Sequence, residues 1–493
     1  MKSIHADVAA LFAVVLWSSA AVVTAGPPAQ VNVSAAGANI PGDAANEPSL
    51  AVDPTNPRRM VIGWRQFDSI ASNFREAGYA SSSDGGRTWI NGGPHTNGIF
   101  RSDPVLDARA DGTIIYHSLR GNFECDSFLS ADAGATWTAP TFAFGGDKAW
   151  ITTDRTTGVG RDNIYACWST AAGTYATTPF CRSIDGGLSW QQPIAMPTPV
   201  RWGTLSVAPE GDLYLVGIQS SPFNLGVFYC VKSVTAKNKS TTPTFVSAVA
   251  LNLGGPLRYS TGPNPAGLLG QISIEAAAAG AVYVLSSIDP PAGKLADDPL
   301  DVHFIRSLDG GATWSAPIRV NADAPNANSW NWMGTMSLAP NGRLDAIYLS
   351  THESGQVNIS RLYFTQSFDG GASWSTPIAL TQAFDSFVGW PQQNKMGDYF
   401  HMRSDALGAN LAFCMTANGE QDVWFVRIGP RDCDGDGIAD SCGSSNADFN
   451  NDGDVDAVDL AHLLNNWGSD DGDLTGDALT DAADLASLLS QWQ

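Results

Sequence analysis

The stretch "SLDGGATWSAP" at residues 307–317 decides how the chain is read, because close copies of it recur. "SSDGGRTW" begins at Ser82, "SADAGATW" at Ser130, "SIDGGLSW" at Ser183 and "SFDGGASW" at Ser367. The spacing is kept throughout; in the first copy its fixed points are Ser82, Asp84, Gly86, Thr88 and Trp89. A short carboxylate can accept the backbone N–H groups of its own turn. Glycine supplies the positive φ such a turn needs, and tryptophan packs between neighbouring sheets. A catalytic group is not wanted five times around one molecule, so this box reads as scaffolding.

Working outward, a second pattern lies between the boxes: a short apolar strand, a turn with Gly, Pro or Asp, then another apolar strand. Its copies are "PSLAVDPTNPRRMVIGW" from Pro48, "PVLDARADGTIIYHSL" from Pro104, "AWITTDRTTGVGRDNIYACW" from Ala149 and "GTLSVAPEGDLYLVGI" from Gly203. "GQISIEAAAAGAVYVLSS" from Gly270, "GTMSLAPNGRLDAIYLS" from Gly334 and "DYFHMRSDALGANLAFCM" from Asp398 complete the series, with starts 45 to 67 residues apart. That spacing suits a unit of four short antiparallel strands with the box before the fourth. The fourth unit carries a decayed box, "VKSVTAKNKSTTPTF", and the seventh has none. "AQVNVSA" from Ala29 resembles the outer-strand sequence "APIRVNADA" from Ala316, and is expected to supply the outer strand of the seventh unit. Pairing the two chain ends closes a ring and leaves no open edge. The expectation is an all-β, seven-bladed β-propeller over about residues 27–430, with six blades plus extra strands as the alternative.

Composition sets the surroundings. A 493-residue chain with 43% hydrophobic and 15% charged residues is globular. Residues 1–25 read as a signal peptide: Lys2 precedes the apolar run "VAALFAVVLWSSAAVV", and Val23 and Ala25 suit cleavage before Gly26. The alternative, an uncleaved anchor, asks more of that run than its length supplies. The mature chain is therefore expected in the periplasm, on the cell envelope or outside the cell, with no membrane span. Of the net charge of −22, residues 432–493 account for −15, holding fifteen Asp and no Glu, Lys or Arg, which leaves −7 for the rest. No basic face favours nucleic acid. Seven cysteines leave at least one thiol unpaired. Cys433 and Cys442 share one short loop and form the favoured disulfide, while Cys167 and Cys181 flank a hairpin and either bridge its strands or stay as buried thiols.

In a propeller, ligands bind at the axis, on the face where the innermost strands begin. Residues there include Asn46, Glu47, Arg101, Ser102, Asp103, Asp147, Lys148 and Trp150. Later units add Arg201, Trp202, Gln271, Trp330, Asn331, Trp332, Trp390, Asn394, Lys395, Asp398 and Tyr399. Paired carboxyl groups can supply acid and base for glycosidic cleavage, which singles out Glu47, Asp103 and Asp147. Arginine binds carboxylates through two parallel hydrogen bonds, and aromatic faces stack on sugar rings. Arg101 and Arg201 are thus substrate anchors, with Trp150, Trp202, Trp330, Trp332 and Asp398 lining the site. The alternative is that these acids pair with Arg and Lys across the axis and only stiffen it.

The five boxes resemble the Asp-box (BNR) repeat, Ser-x-Asp-x-Gly-x-Thr-Trp, of sialidases and their relatives. The resemblance covers the propeller and implies a glycoside hydrolase acting on glycans or polysaccharides, with Tyr399 as a nucleophile of the kind sialidases use. The chain departs from active sialidases in lacking an Arg-Ile-Pro segment; "NPRRM" (Arg58, Arg59) and "FRSDP" (Arg101) stand nearest to it. Family sialidases have six blades, and seven units are counted here. "NEPSLAVDPTNP", "DKAWITTD" and "MGDYF" look like a broader group of secreted Asp-box propellers. Two functions follow: an exported sialidase-like glycosidase, or a non-catalytic propeller that binds glycans or proteins at the cell envelope.

The acidic tail has calcium-loop spacing. "DFNNDGDVDAVD" sets Asp448, Asn450, Asp452, Asp456 and Asp459 at positions 1, 3, 5, 9 and 12, with Gly453 sixth and the Asp454 carbonyl seventh. A second copy, "DLTGDALTDAAD", offers Asp473, Thr475, Asp477, Asp481 and Asp484, with Ala478 in place of the glycine. Each loop leads into an apolar helical stripe: Leu460, Leu463, Leu464, Trp467, then Leu485, Leu488, Leu489, Trp492. Residues 447–493 resemble a dockerin type I domain, a small all-α calcium-loop (EF-hand-like) module, which implies Ca²⁺ and a cohesin-like partner. Over 431–446, "DCDGDGIADSC" places Asp432, Asp434, Asp436 and Asp440 as in a thrombospondin type 3 calcium repeat, a stiff linker between the two parts.

Overall fold

Each apolar–turn–apolar unit folds into one antiparallel sheet, and seven sheets stand around a common axis. The structure, a computed structural model, describes residues 25–246, 248–290, 298–430, 447, 449, 455–469, 472–475 and 479–492. The signal segment up to residue 24 and the 431–446 linker, with Asp432, Asp434, Asp436, Asp440, Cys433 and Cys442, lie outside the described residues. So do Asp448, Asn450, Asp452, Asp454 and Asp477 of the calcium loops.

Blade 1 runs from the axis outward as Ala44–Val52, Met60–Phe67, Glu76–Ser82 and Ile90–Pro94. Blade 2 repeats this with Arg101–Ala108, Ile114–Arg120, Cys125–Ser130 and Thr141–Phe142. The innermost strands of blades 3 to 7 are Trp150–Thr153, Leu205–Val207, Ser273–Ala276, Asn331–Leu338 and His401–Ser404. Ala29 pairs with Phe425 and Gln30 with Trp424, so the first strand becomes the outer strand of blade 7. Seven blades, closed by the two chain ends, are therefore the observed count. The inner strands are buried along most of their length, because both faces of each blade meet another blade. Contact is close: a Cβ on Gly63 of blade 1 would lie 2.3 Å from the Tyr116 ring of blade 2.

The recurrent box is the turn between the third and fourth strands. Ser82 Oγ donates to Asp84 Oδ1 at 2.7 Å and accepts from Gly86 N at 2.9 Å, while Thr88 Oγ1 donates to Asp84 Oδ2 at 2.6 Å. The same contacts hold at Ser130/Asp132/Gly134, Ser183/Asp185/Gly187, Ser307/Asp309/Gly311 and Ser367/Asp369/Gly371. Four of the five box tryptophans then pack against a ring of the preceding blade: Trp89 against Phe425 (5.3 Å between centroids), Trp137 against Tyr79 (5.4 Å), Trp190 against His117 (5.7 Å) and Trp374 against Phe304 (5.3 Å). The box makes its own turn and pins one blade to the next.

One expectation needs correction. Cys167 lies opposite Phe180 and Cys181 opposite Ala166, so the two side chains leave the hairpin on opposite faces and cannot bridge it. Cys125, Cys167, Cys181, Cys230 and Cys414 are all buried free thiols. In the tail, helices Ala457–Asn465 and Ala482–Ser490 bury Leu463 and Leu488 with Val455 and Leu474. Leu460 and Leu485 pack partly buried against them, whereas Leu464, Trp467, Leu489 and Trp492 are 51%, 48%, 54% and 42% exposed, since two short helices cover only one narrow face of each other. Among the described residues no helix is long and apolar enough to cross a membrane.

Candidate functional site

The entry to the axis rests on one repeated backbone device. In the first residues of each inner strand or just before it, one residue adopts a positive φ: Glu47 (52°), Asp103 (46°), Lys148 (56°), Trp202 (64°), Gly270 (119°), Met333 (56°) and Gly397 (90°). Five of the seven are not glycine. An L side chain there costs roughly 1–2 kcal/mol, and such residues persist only where the surroundings fix them. In blades 1, 2 and 6 the kink is also a bulge, between Asn46 and Ser49, Ser102 and Val105, and Trp332 and Thr335. A bulge re-aims the side chains beside it.

The result over blades 1, 2, 3 and 7 is a buried ion-pair network. Lys148 Nζ donates to Asp398 Oδ2 and lies 3.9 Å from Asp103 Oδ2. Lys395 Nζ joins Asp398 Oδ2 at 2.6 Å to Glu47 Oε1 at 3.1 Å, and Arg65 Nε stands 3.1 Å from Glu47 Oε2. Ser102 Oγ donates to Asp103 Oδ1 at 2.6 Å, and Leu268 N to Asp398 Oδ1 at 2.7 Å. Burial pushes the Glu47 carboxyl up to about 7, against the pull of Arg65 and Lys395. Burial acts the same way on Asp103, but Lys148 and Arg65 outweigh it and hold that group at about 2. Asp398 sits well below the usual carboxylate range, because Lys148 and Lys395 overcome its burial. The site thus keeps one carboxyl able to carry a proton near neutrality beside two that stay ionised.

The other residues expected at the site part company. Asp147 is partly exposed, its carboxylate makes no direct hydrogen bond or ion pair with described residues, and burial raises it. Arg101 turns into blade 2, where Nη2 meets Asp126 Oδ2 at 2.7 Å and the guanidinium lies over Phe128. Tyr399 is buried, its hydroxyl donating to Pro104 O at 2.7 Å. Burial lifts that phenol well above its ordinary value, and the neighbouring Glu47 and Asp103 carboxyl groups raise it further. Trp150 is buried edge-on to Tyr399 and His401. Trp332 is fully buried, with Nε1 on Ser360 Oγ at 3.1 Å, and belongs to the core.

A second cluster, on the same face over blades 4 and 5, is open. The Arg201 guanidinium lies 3.8 Å from the Phe223 ring centroid and 5.1 Å from that of Trp202. Trp202 meets Phe223 at 5.5 Å and Tyr259 at 5.2 Å. Phe223 and Tyr259 are 44% and 41% exposed. Beside them Arg258 stacks on Trp330 and holds Asp289 Oδ2 at 2.8 Å. Phe223, Tyr259 and Arg258 escape a search confined to the residues before each inner strand. The usable signal was topological: the loop between second and third strands opens on the same face, and "SPFN" (221–224) is such a loop.

No protein-family model matches the chain, and no curated protein matches it. Among solved structures, a protein of unknown function from Dyadobacter fermentans aligns over 83% of this chain and 99% of its own, at 17% identity and a TM-score of 0.46. The endosialidase of phage phi92 aligns over 83% and 69%, at 9% identity and 0.43. The sialidase of Trypanosoma rangeli aligns over 78% and 55%, at 12% identity and 0.38.

Proposed function

We propose that this protein is an exported glycan-binding β-propeller that takes sugars on the Arg201–Trp202–Phe223–Tyr259 platform and is tethered through its calcium-dependent tail. The observation that carries the reading is the contrast between the two halves of one face. Glu47, Asp103 and Asp398 are committed to buried cations, whereas the platform offers exposed ring faces with a guanidinium beside them. Exposed aromatic faces are what pyranose rings stack on, and arginine adds affinity for acidic sugars. Trp330 and the open carboxylate of Asp147 extend the same surface.

A second reading, a sialidase-like glycosidase, is favoured by one feature: Glu47, raised to about 7, beside ionised Asp103 is the electrostatic pattern of an acid and its partner carboxylate. It requires the network to open, because Glu47 is fully buried.

In the tail, Asp456, Asp459, Asp481 and Asp484 cap the two helices through their carboxylates. With Asp473 and Thr475, and with Asp448, Asn450, Asp452, Asp454 and Asp477, they are proposed Ca²⁺ ligands, as are Asp432, Asp434, Asp436 and Asp440 of the linker. Exposed Leu464, Trp467, Leu489 and Trp492 suit an apolar docking surface for a cohesin-like partner.

The test is a panel of sialylated and uronate-bearing glycans presented to the secreted full chain, scoring both retention and released sugar, before and after calcium chelation. The expected result is retention without release, weakened about tenfold or more by Phe223→Ala with Tyr259→Ala, since a stacked ring carries one to a few kcal/mol. Sugar release abolished by Glu47→Gln, Asp103→Asn or Asp147→Asn would establish the glycosidase instead.

A further inference from the structure

Beyond the ion-pair network the axis opens into a cavity of about 860 Å³ lined by the inner strands of blades 3 to 7. It runs from the level of Trp150 and Tyr399 to the turns that follow those strands, near Pro340 and Gly342. The volume is that of a small-molecule site, and its wall holds polar groups with nothing to bind. Gln271 is only 6% exposed, yet neither its Oε1 nor its Nε2 has a hydrogen-bond partner among the described residues. The buried Thr153 Oγ1 and Arg403 Nε are likewise unpartnered. Buried donors and acceptors left unpaired cost free energy, so a cavity that keeps an amide in this state is shaped for something that pairs with it.

Charge narrows the choice. Arg155 and Arg403 converge on one carboxylate, Asp107, whose Oδ1 accepts from Arg155 Nη2 and, at 2.8 Å, from Arg403 Nη2. Asp107 is further engaged by the backbone N–H groups of Thr153 and Ala108. Across the cavity Glu275 accepts from Ser206 Oγ at 3.4 Å and from the backbone of Leu338, and burial lifts its carboxyl to about 7 despite Arg403 and Arg155. His401 is held well below its ordinary value by burial and Arg403; its Nδ1 accepts from Leu50 N at 3.1 Å and pairs with Ser49 Oγ at 2.8 Å. Below neutrality the groups facing Glu275 therefore amount to two guanidinium cations against one carboxylate.

We propose that the axial cavity binds a small polyhydroxylated carboxylate of sugar-acid size, with the carboxylate on Arg155 and Arg403 and the hydroxyl groups on Gln271, Thr153 and Ser206. A neutral sugar would leave the excess guanidinium charge unanswered. An inorganic anion would leave the Gln271 amide unpaired, because that amide asks for a donor and an acceptor at once. The site lies below the network and apart from the Arg201–Tyr259 platform, and it stands whether or not the platform binds glycans.

Calorimetry on the full-length secreted protein at pH 6, with glucuronate, glucose and sulfate as probes, tests the assignment. Glucuronate should bind at least tenfold more tightly than either of the others. Gln271→Leu removes two unpaired polar atoms from a buried position, so its melting temperature should hold while glucuronate affinity falls about tenfold. Arg403→Gln should cost at least as much, and Phe223→Ala should change nothing. Glucuronate affinity should also fall about tenfold from pH 6 to pH 8, as Glu275 ionises beside the arginines, and Glu275→Gln should flatten that profile; Asp107, Arg155, Arg403 and neutral His401 keep their charge across it. Equal affinity for glucose or sulfate, absence of glucuronate heat at millimolar concentration, or undiminished binding by a folded Gln271→Leu protein would overturn the proposal.

Discussion

Among the described residues only Lys148 forms ion pairs with both Asp398 and Asp103, and it does so from a left-handed backbone that a lysine adopts at a cost. Removing one partner from a buried ion pair leaves a charge with neither water nor counter-ion, a penalty of several kcal/mol. Asp398 would keep Lys395 and Asp103 would keep Ser102, so Lys148→Met should destabilise the propeller by about 3 kcal/mol at neutral pH. A shift of the urea midpoint at unchanged slope measures it, and a shift too small to resolve would mean that the network is not tightly closed. At this scale the sequence showed the acids and lysines but not their pairing: Glu47 and Lys395 are 348 positions apart, and only ring closure brings them to 3.1 Å. Arg65 was invisible for a related reason. It lies on a second strand whose bonding to Asn46 places it behind the first.

The ring closes through a very short element. Ala29 and Gln30 pair with Asp422–Ile428, Val31 N donates to Val423 O at 2.8 Å, and Asn32 Nδ2 donates to Asp422 Oδ1 at 2.6 Å. Val31 and Asn32 are fully buried, so this strand covers apolar surface as well as an edge. Deleting residues 26–33 should lower the melting temperature by several degrees, and the bared edge of Asp422–Ile428 should make the protein self-associate at micromolar concentration. Size-exclusion chromatography with light scattering reads this directly; a monomer of undiminished stability would show the closure to be dispensable. Such elements were legible from the sequence because a strand–turn–strand period and a turn motif are local. The box could be placed between third and fourth strands for that reason, and the outer strand of blade 7 for its likeness to another outer strand. What stayed hidden was anything set by how far a face extends. The tail helices carry a full apolar stripe, but their nine-residue length lets only Leu463 and Leu488 become fully buried.

Across the whole molecule the titrating groups fall into two sets that bound the range of greatest stability. Glu47, Asp43 and Glu275 are each raised to about 7, with burial the largest cause. Asp298 joins them at about 7 through burial and the neighbouring Asp301. A carboxyl that holds its proton more tightly in the folded chain than in the unfolded one favours folding at low pH. That contribution is complete below about pH 4 and is lost as pH rises towards 7. Opposed to them are Asp103 and two box acids, Asp309 and Asp369, all near 2, together with the imidazoles of His95, at about 3, and His117, at about 4, which burial keeps neutral. For Asp103 the lysine and arginine neighbours overcome burial, and for the box acids the hydrogen bonds from Thr313 and Ser373 lead. The three carboxyls favour folding above about pH 4 and lose that effect as pH falls towards 2, while the two histidines favour it above about pH 6.5 and lose it progressively below that. The two trends largely offset each other between about pH 4 and pH 6.5, so the melting temperature should be broadly highest there, exceed its value at pH 8 by several degrees, and fall again below pH 3. The net charge of −22 pushes the same way, since acid relieves its self-repulsion. Salt separates the two causes: 0.5 M sodium chloride screens charges exposed to solvent but not buried ones. A fall between pH 5 and pH 8 that survives salt and shrinks in Glu275→Gln would place it in the buried carboxyls; a fall that salt abolishes would assign it to the acidic surface.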